Sequence, residues 1–182
     1  MSDAAFFTIT PSPVGRLTLV GEGDELVGLY FEDDPNGAAA ERGAVRDDRR
    51  LRAAVAQLDE YFAGKRTRFD LALAPRGTAF RKSVWRALQR IPYGRTSSYG
   101  EIARALGKPA ASRAVGGANH HNPIAIVIPC HRVVGADGSM TGYGGGLARK
   151  ELLLALEART TRAGAPVARG ERARPSAAVS EP

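Results

Sequence analysis

Three short runs rich in β-branched and aromatic residues open the chain, and turn residues separate them. FFTIT, GRLTLV and ELVGLYF alternate with PSPV and GEGD. Val, Ile, Thr, Tyr and Phe are enriched in strands, whereas Pro, Gly, Asp and Ser favour turns. The pattern therefore predicts an antiparallel sheet at the N-terminus. The stretch NGAAAERGAVRDD that follows is predicted to be a loop, with Asp47 or Asp48 capping the next element.

Helical periodicity replaces the strand pattern after Arg49. Four apolar residues from Leu51 to Phe62 recur at i, i+4, i+7 and i+11, which places them on one face of a helix. The segment KRTRFDLALAPRG then has the composition of an extended connector. We therefore divide the chain into an N-terminal domain, residues 1–76, and a C-terminal domain, residues 77–159.

The C-terminal domain is predicted to be mostly helical. Thr78 and Ser98 stand where helix caps are expected, and Glu101 follows Ser98 at the spacing of a capping box. SYGEIARALG and PAASRAVGGAN are two short helices joined by a tight turn, which indicates a helix-turn-helix. IAIVI is predicted as a short strand and LARKELLLALEAR as the last helix. Residues 160–182 have few large apolar side chains and are predicted to be disordered.

The distribution of charge limits the classes of partner. The 182 residues carry a net charge of +7, and residues 77–159 hold twelve Lys or Arg against four Asp or Glu. On charge alone, a solvated basic face is the simpler interpretation, and a surface that meets phosphates is the alternative. The sequence has no signal-peptide pattern and no apolar run long enough to span a membrane. We therefore expect a cytoplasmic protein with no membrane partner.

The second helix of the helix-turn-helix is unusually slim. AASRAVGGA contains small residues, one valine and a single charged side chain, Arg113. Its glycines cost about 1 kcal/mol each relative to alanine in a helix interior, so they need a reason. Close packing against a neighbouring helix is one reason, and entry into a narrow groove is the other. A recognition helix that reads base edges carries more polar side chains, so sequence-neutral binding in the minor groove fits better.

The only cysteine of the chain lies in IVIPCHRVVG. Because there is no second cysteine, an internal disulfide is excluded. A lone thiol is more often a buried structural residue than a reactive one. Cys130 lies next to His131, however, and cations or an imidazole lower the pKa of a thiol, so we expect a pKa below about 8.5. A histidine base needs a group that orients it, and Glu157, beside LLLAL, is the acid best placed to be buried. With so few soft ligands, we expect no metal and no cofactor.

Longer stretches on both sides of this cysteine carry a resemblance to a known family. IPCHRVVG, with SRAVGGANHHNP before it and GYGGGLARKELLLALE after it, closely resembles the O6-alkylguanine-DNA alkyltransferases, also called methylated-DNA–protein-cysteine methyltransferases. GTAFRKSVWRALQRIPYGRTSSYGEIARALGKP and TPSPVGRLTLV extend the resemblance over most of the chain. It implies an α/β (α+β) protein with a small ribonuclease-H-like N-terminal domain, containing the antiparallel sheet, and a C-terminal winged helix-turn-helix domain.

The resemblance also implies a reaction and its residues. The family flips an alkylated guanine from duplex DNA and moves the alkyl group irreversibly onto its own cysteine, with O4-methylthymine as a second candidate substrate. Cys130 would then be the acceptor, His131 the base acting through water, and Glu157 its orienter. Tyr99 would assist the leaving group and base flipping, while Asn122 would brace the turn before the cysteine. The implied DNA-binding residues are Arg113, which fills the gap left by the base, with Tyr99, Ala114 and Gly116. The implied pocket residues are Ala125, Val133, Tyr143 and Gly144.

Several alternatives stay open at this point. A non-catalytic relative would bind alkylguanine in DNA and recruit other repair factors, but such relatives lack the acceptor cysteine. A cysteine hydrolase would give many products per protein, and a winged-helix regulator would prefer one DNA sequence. For the preferred interpretation we expect a monomer that binds double-stranded DNA through the minor groove, with cooperative assembly on DNA as a further possibility. The small residues Ala125 and Gly144 leave the tolerated alkyl size open.

Overall fold

The structure is a computed structural model that describes residues 4–164. The chain begins with the strands β1 (Phe6–Thr10), β2 (Leu17–Glu22) and β3 (Glu25–Phe31), which pair antiparallel as predicted. A two-residue strand, β4 (Val45–Arg46), adds to the other side of β1, in parallel, so the order is β3-β2-β1-β4 and the sheet is mixed. One face packs on apolar side chains from both halves of the molecule.

Two helices follow β3 in the N-terminal half. Helix α1 (Pro35–Gly43) occupies the stretch that we predicted to be a loop, and that prediction is wrong. The helix forms because the Asp34 side chain accepts a hydrogen bond from the Asn36 amide and Pro35 suits the first turn. Helix α2 (Arg52–Phe62) confirms the periodicity from Leu51 onward and buries Leu58 and Tyr61.

The C-terminal half contains the predicted helical elements. Helix α3 (Ala79–Leu88) has Thr78 as its N-cap, and α4 (Tyr99–Ala105) begins with the Ser98–Glu101 capping box. A short 3-10 helix (Pro109–Ala111) leads into α5 (Ser112–His120), which completes the helix-turn-helix. Two short parallel strands, β5 (Ser97–Ser98) and β6 (Val133–Val134), flank it, and α6 (Leu147–Arg162) ends the described chain.

Two predictions near the end of the chain need correction. IAIVI is not a strand: residues 125–127 form a turn, and the 3-10 helix Cys130–Arg132 follows it. Helix α6 extends to Arg162, so the first residues of the stretch 160–182 are helical rather than disordered. Residues 165–182 lie outside the described part of the chain. The division at residues 76 and 77 stays a proposal.

Strand β3 joins the two halves through its backbone. Its residue Leu26 exchanges hydrogen bonds with Ala72 and Ala74 of the connector, and Leu29 exchanges them with Pro123 and Ala125 just before the cysteine. The segment that presents Cys130 is therefore held on the edge of the N-terminal sheet. No helix among residues 4–164 is long and apolar enough to cross a membrane.

Candidate active site

A strained turn presents the cysteine. Ile126 has a φ of 69°, a left-handed conformation that a β-branched residue rarely adopts and that costs on the order of 1–3 kcal/mol. Asn122 braces the turn: its side-chain oxygen accepts from the Ile124 amide at 3.0 Å, and its Nδ2 donates to the Ile128 carbonyl at 2.8 Å. These two bonds are the ones expected of a residue that braces the turn before the cysteine, and that role of Asn122 stays a prediction.

Cys130 is buried at the start of the 3-10 helix. Only 5% of its surface is exposed, and Asn122 Nδ2 donates to its Sγ at 3.1 Å. Burial raises the pKa of the thiol, and the neighbouring Asn122 and Tyr143 side chains oppose this effect only in part. This contradicts our expectation of a lowered thiol pKa. The resting cysteine is a protonated thiol, so its proton must be removed when a substrate arrives.

His131 and Glu157 form a buried pair. Nε2 of His131 lies 2.8 Å from Oε1 of Glu157, and both side chains have no exposed surface. Burial lowers the pKa of His131 more strongly than Glu157 raises it, so the imidazole is neutral at neutral pH. Its Nε2–H must then donate to the carboxylate, which leaves the lone pair on Nδ1. Nδ1 is buried without a partner among the described residues and is available to accept a proton.

Glu157 is held as a carboxylate by four groups. Burial alone would raise its pKa, but His131 and Arg132 outweigh burial and lower the pKa to about 2. Arg132 donates to both carboxylate oxygens at 3.0 Å, and its Nη1 donates to the Ile91 carbonyl. The Tyr61 hydroxyl donates to Oε1 at 2.8 Å and the Gly94 amide to Oε2 at 2.9 Å. The burial predicted for Glu157 is confirmed, whereas Tyr61, which comes from the N-terminal half, was not foreseen.

A second charged residue of α6 is buried near the thiol. Lys150 has no exposed surface, and its Nζ donates to the carbonyls of Val133 at 2.6 Å and Thr141 at 2.9 Å. Burial lowers the pKa of Lys150 while Cys130 raises it. Lys150 lies two helical turns before Glu157 on the same buried face of α6, and that seven-residue spacing is the signal that could have revealed it.

A small cavity reaches Cys130. Its volume is about 30 Å³. Three of the predicted pocket residues line it, while Val133 does not, because its side chain is fully buried and its carbonyl serves Lys150. Part of the wall comes from the end of β3, which sequence reasoning missed. The lining residues are Leu29, Tyr30, Phe31, Asp34, Asn119, His120, Asn122, Ala125, Cys130, Tyr143, Gly144 and Gly145.

The slim helix α5 leaves its small residues open to the outside. A Cβ on Gly117 would meet no atom within 4 Å, and one on Gly116 would come no closer than 3.8 Å to the Tyr99 ring. Close packing within the protein therefore does not explain the glycines. Arg113 and Ala114 are exposed on the same helix. Tyr99, at the start of α4, lies between α5 and the loop at Gly142, whose carbonyl is 3.5 Å from its hydroxyl.

Family models match both halves of the chain. The model described as "6-O-methylguanine DNA methyltransferase, ribonuclease-like domain" matches residues 5–75, and "6-O-methylguanine DNA methyltransferase, DNA binding domain" matches residues 79–159. The chain belongs to the 6-O-methylguanine DNA methyltransferase family. The mixed α/β fold, with a sheet-containing N-terminal half and a helical C-terminal half, is the fold of this family's solved structures.

Relatives of this methyltransferase family member cover most of its length. A methylated-DNA–protein-cysteine methyltransferase of Mycolicibacterium paratuberculosis is 56% identical, over 81% of this chain and 89% of the relative. One from Methanosarcina acetivorans is 49% identical, over 84% and 97%. The crystal structure of Mycobacterium tuberculosis OGT in complex with DNA superimposes with a TM-score of 0.80 at 50% identity, covering 85% of this chain and 94% of that one.

Proposed function

We propose that this protein repairs DNA by direct reversal, as a single-turnover methylated-DNA–protein-cysteine methyltransferase. It takes O6-methylguanine out of duplex DNA and transfers the methyl group to Sγ of Cys130. The observation that carries the proposal is the surroundings of the buried Cys130 thiol. The next residue, His131, is neutral, and its Nε2–H donates a hydrogen bond to the ionised carboxylate of Glu157. The base–orienter part of a nucleophilic site is thus assembled around the chain's only cysteine.

The transfer is a displacement at the methyl carbon. The Cys130 proton passes through a water to Nδ1 of His131, Sγ bonds to the methyl carbon, and the bond from that carbon to O6 breaks. The electron pair remains on the purine, where a hydrogen bond from the Tyr99 hydroxyl stabilises the developing charge. The Asn122 amide, 3.1 Å from Sγ, and the buried Lys150 ammonium favour the thiolate as it forms. The thioether persists because its carbon–sulfur bonds are not readily hydrolysed, so the transfer is irreversible and one cysteine is enough.

DNA binding is assigned to the open face of α5. Its small residues let the helix approach a narrow groove, and Arg113 enters the stack where the target nucleotide leaves it. Flipping costs a few kcal/mol and costs less for a damaged, weakly paired base. Such binding is largely electrostatic and insensitive to the DNA sequence. We also propose a monomer in the cytoplasm, where a free thiol stays reduced.

Intact-mass measurement tests the proposal. Incubation with excess O6-methylguanine duplex should add one methyl group per protein, on Cys130, and then stop. Product that exceeds protein on a molar basis would contradict single turnover and favour the hydrolase. Tight binding of the lesion without any mass change would favour a non-catalytic alkylguanine-binding protein instead.

A further inference from the structure

One arginine outside the reacting groups contacts both halves of the molecule at the cavity. Arg149, in the first turn of α6, donates through Nε to the Val14 carbonyl at 2.9 Å. Its Nη1 donates to both carboxylate oxygens of Asp33, at 2.7 and 2.9 Å, and to the Gly145 carbonyl at 3.0 Å. Its Nη2 lies 3.4 Å from Glu32. We call this set of contacts the latch.

The latch acts on the wall of the cavity. The Arg149 guanidinium lies over the Phe31 ring, 4.8 Å from its centroid, and the Phe31 ring meets the edge of Tyr143 at 6.2 Å. A Cβ on Gly145 would collide with both aromatic rings, so the loop Tyr143–Gly146 rests directly on Phe31. Phe31, Tyr143 and Gly145 all line the cavity at Cys130. The guanidinium therefore fixes both sides of this wall at once.

The contacts of Arg149 contribute little to the stability of the fold, and their main effect is on the position of the loop. The Arg149 side chain is 16% exposed, but its partners Asp33 and Glu32 are 68% and 48% exposed, so each ion pair is largely screened. A guanidinium nevertheless offers five N–H groups in a rigid plane, which lysine cannot reproduce. Arg149 directs them to two backbone carbonyls and two carboxylates at once. Its main effect is to hold the loop at one distance from β3.

We propose that Arg149 is a positioning and specificity-determining residue, which keeps the cavity at Cys130 small and so favours methyl over bulky alkyl groups. The inference rests on the proposed function. With the latch in place, the cavity has about 30 Å³. Phe31, His120 and Gly144 also line an adjoining open groove of about 520 Å³. When the loop is released, a bulky alkyl group gains access to the groove. The methyl carbon is then no longer held at one distance from Sγ.

The test compares two lesions in the same duplex. Rates of transfer from O6-methylguanine and O6-benzylguanine are measured for the wild type, Arg149→Ala and Asp33→Asn, with duplex affinity and Tm. Arg149→Ala should slow methyl transfer by about tenfold to hundredfold, the scale expected for a misplacement of about 1 Å. The ratio of benzyl to methyl rates should rise at least several-fold, with duplex affinity unchanged. Asp33→Asn, at an exposed carboxylate, should shift the ratio in the same direction by less.

The controls separate this inference from the proposed function. Arg159→Ala removes an exposed arginine from the same helix and should leave both rates and their ratio at wild-type values. If the wild type transfers no methyl group, the proposed function fails. If the wild type transfers it but both latch variants keep the wild-type ratio, or lose both rates in proportion to a fall in Tm, Arg149 is only structural and the inference is overturned.

Discussion

Replacing Glu157 with glutamine should damage the fold as well as the reaction. Oε1 of Glu157 accepts from Tyr61, His131 and Arg132, and Oε2 accepts from Arg132 and the Gly94 amide. An amide offers one oxygen and two N–H groups, so in either orientation its NH₂ faces donors. Glu157→Gln also leaves the Arg132 guanidinium, whose side chain is 8% exposed, without its counter-ion.

The magnitude follows from the burial of these groups. Breaking a buried ion pair by removing one partner costs about 3–5 kcal/mol, which in a chain of this length lowers Tm by about 6–20 °C. The shift of the Glu157 pKa from 4.5 to about 2 gives a similar figure of about 3 kcal/mol for the ionised state. Methyl transfer should slow as well, since His131 loses the carboxylate that orients it and supports its basicity.

Thermal unfolding at pH 7 and single-turnover transfer are the two assays. Glu151→Gln is the matched control, because Glu151 is an exposed carboxylate on the same helix and should change neither quantity. If Glu157→Gln melted within ~1 °C of the wild type and transferred methyl at the wild-type rate, the hydrogen bonds of Glu157 would contribute neither to stability nor to the reaction. A change of ~1 °C corresponds to a few tenths of a kcal/mol.

Three further predictions follow from the site. Since burial depresses the pKa of His131 and its neighbours depress that of Glu157, the stability from these groups is complete at neutral pH. The free energy of unfolding should fall as the pH drops below about 6.5, where His131 becomes protonated on unfolding, and fall further from about 4.5 toward 2, where Glu157 does. Equal urea midpoints at pH 7 and pH 4 would contradict this. Cys130→Ser should abolish transfer yet keep duplex affinity, because it alters neither charge nor the open face of α5; a large loss of binding in an electrophoretic shift assay would place the cysteine in the DNA contact. Arg113→Ala should slow repair in duplex DNA by at least tenfold while sparing reaction with free O6-benzylguanine, provided the cavity admits that base, since only the duplex needs a substitute in the stack. Equal losses on both substrates would make Arg113 structural or part of the pocket.

The features that sequence predicts well are those with local causes. Thr78 caps α3 and Ser98 caps α4 because each bonds to an amide three residues ahead. The burial of Glu157 was predictable because it follows an apolar run on a helix with few other acids. These signals lie within one or two helical turns, where spacing determines which groups meet.

The features that sequence missed depend on distant contacts. Tyr61 reaches Glu157 across 96 positions of the chain, and no local pattern links them. IAIVI has the composition of a strand, but the bonds from Asn122 hold it in a turn with Ile126 in a left-handed conformation, so tertiary contacts override β propensity. The raised thiol pKa was missed for the same reason, because local spacing shows the neighbouring histidine and not the depth of burial.

The backbone hydrogen bonds that join Leu29 to Pro123 and Ala125 affect how long an unreacted molecule keeps its thiol. A protein that reacts once must keep its thiol reduced and unalkylated, despite collisions with oxidants and other electrophiles, until it meets a lesion. Because the Cys130 turn is bonded to the edge of the N-terminal sheet, the sulfur of the folded protein meets only groups small enough to enter the cavity of about 30 Å³. A larger oxidant or electrophile reaches it only when the turn parts from β3, so a substitution that loosens this contact should raise the rate at which the thiol is lost before it meets a lesion.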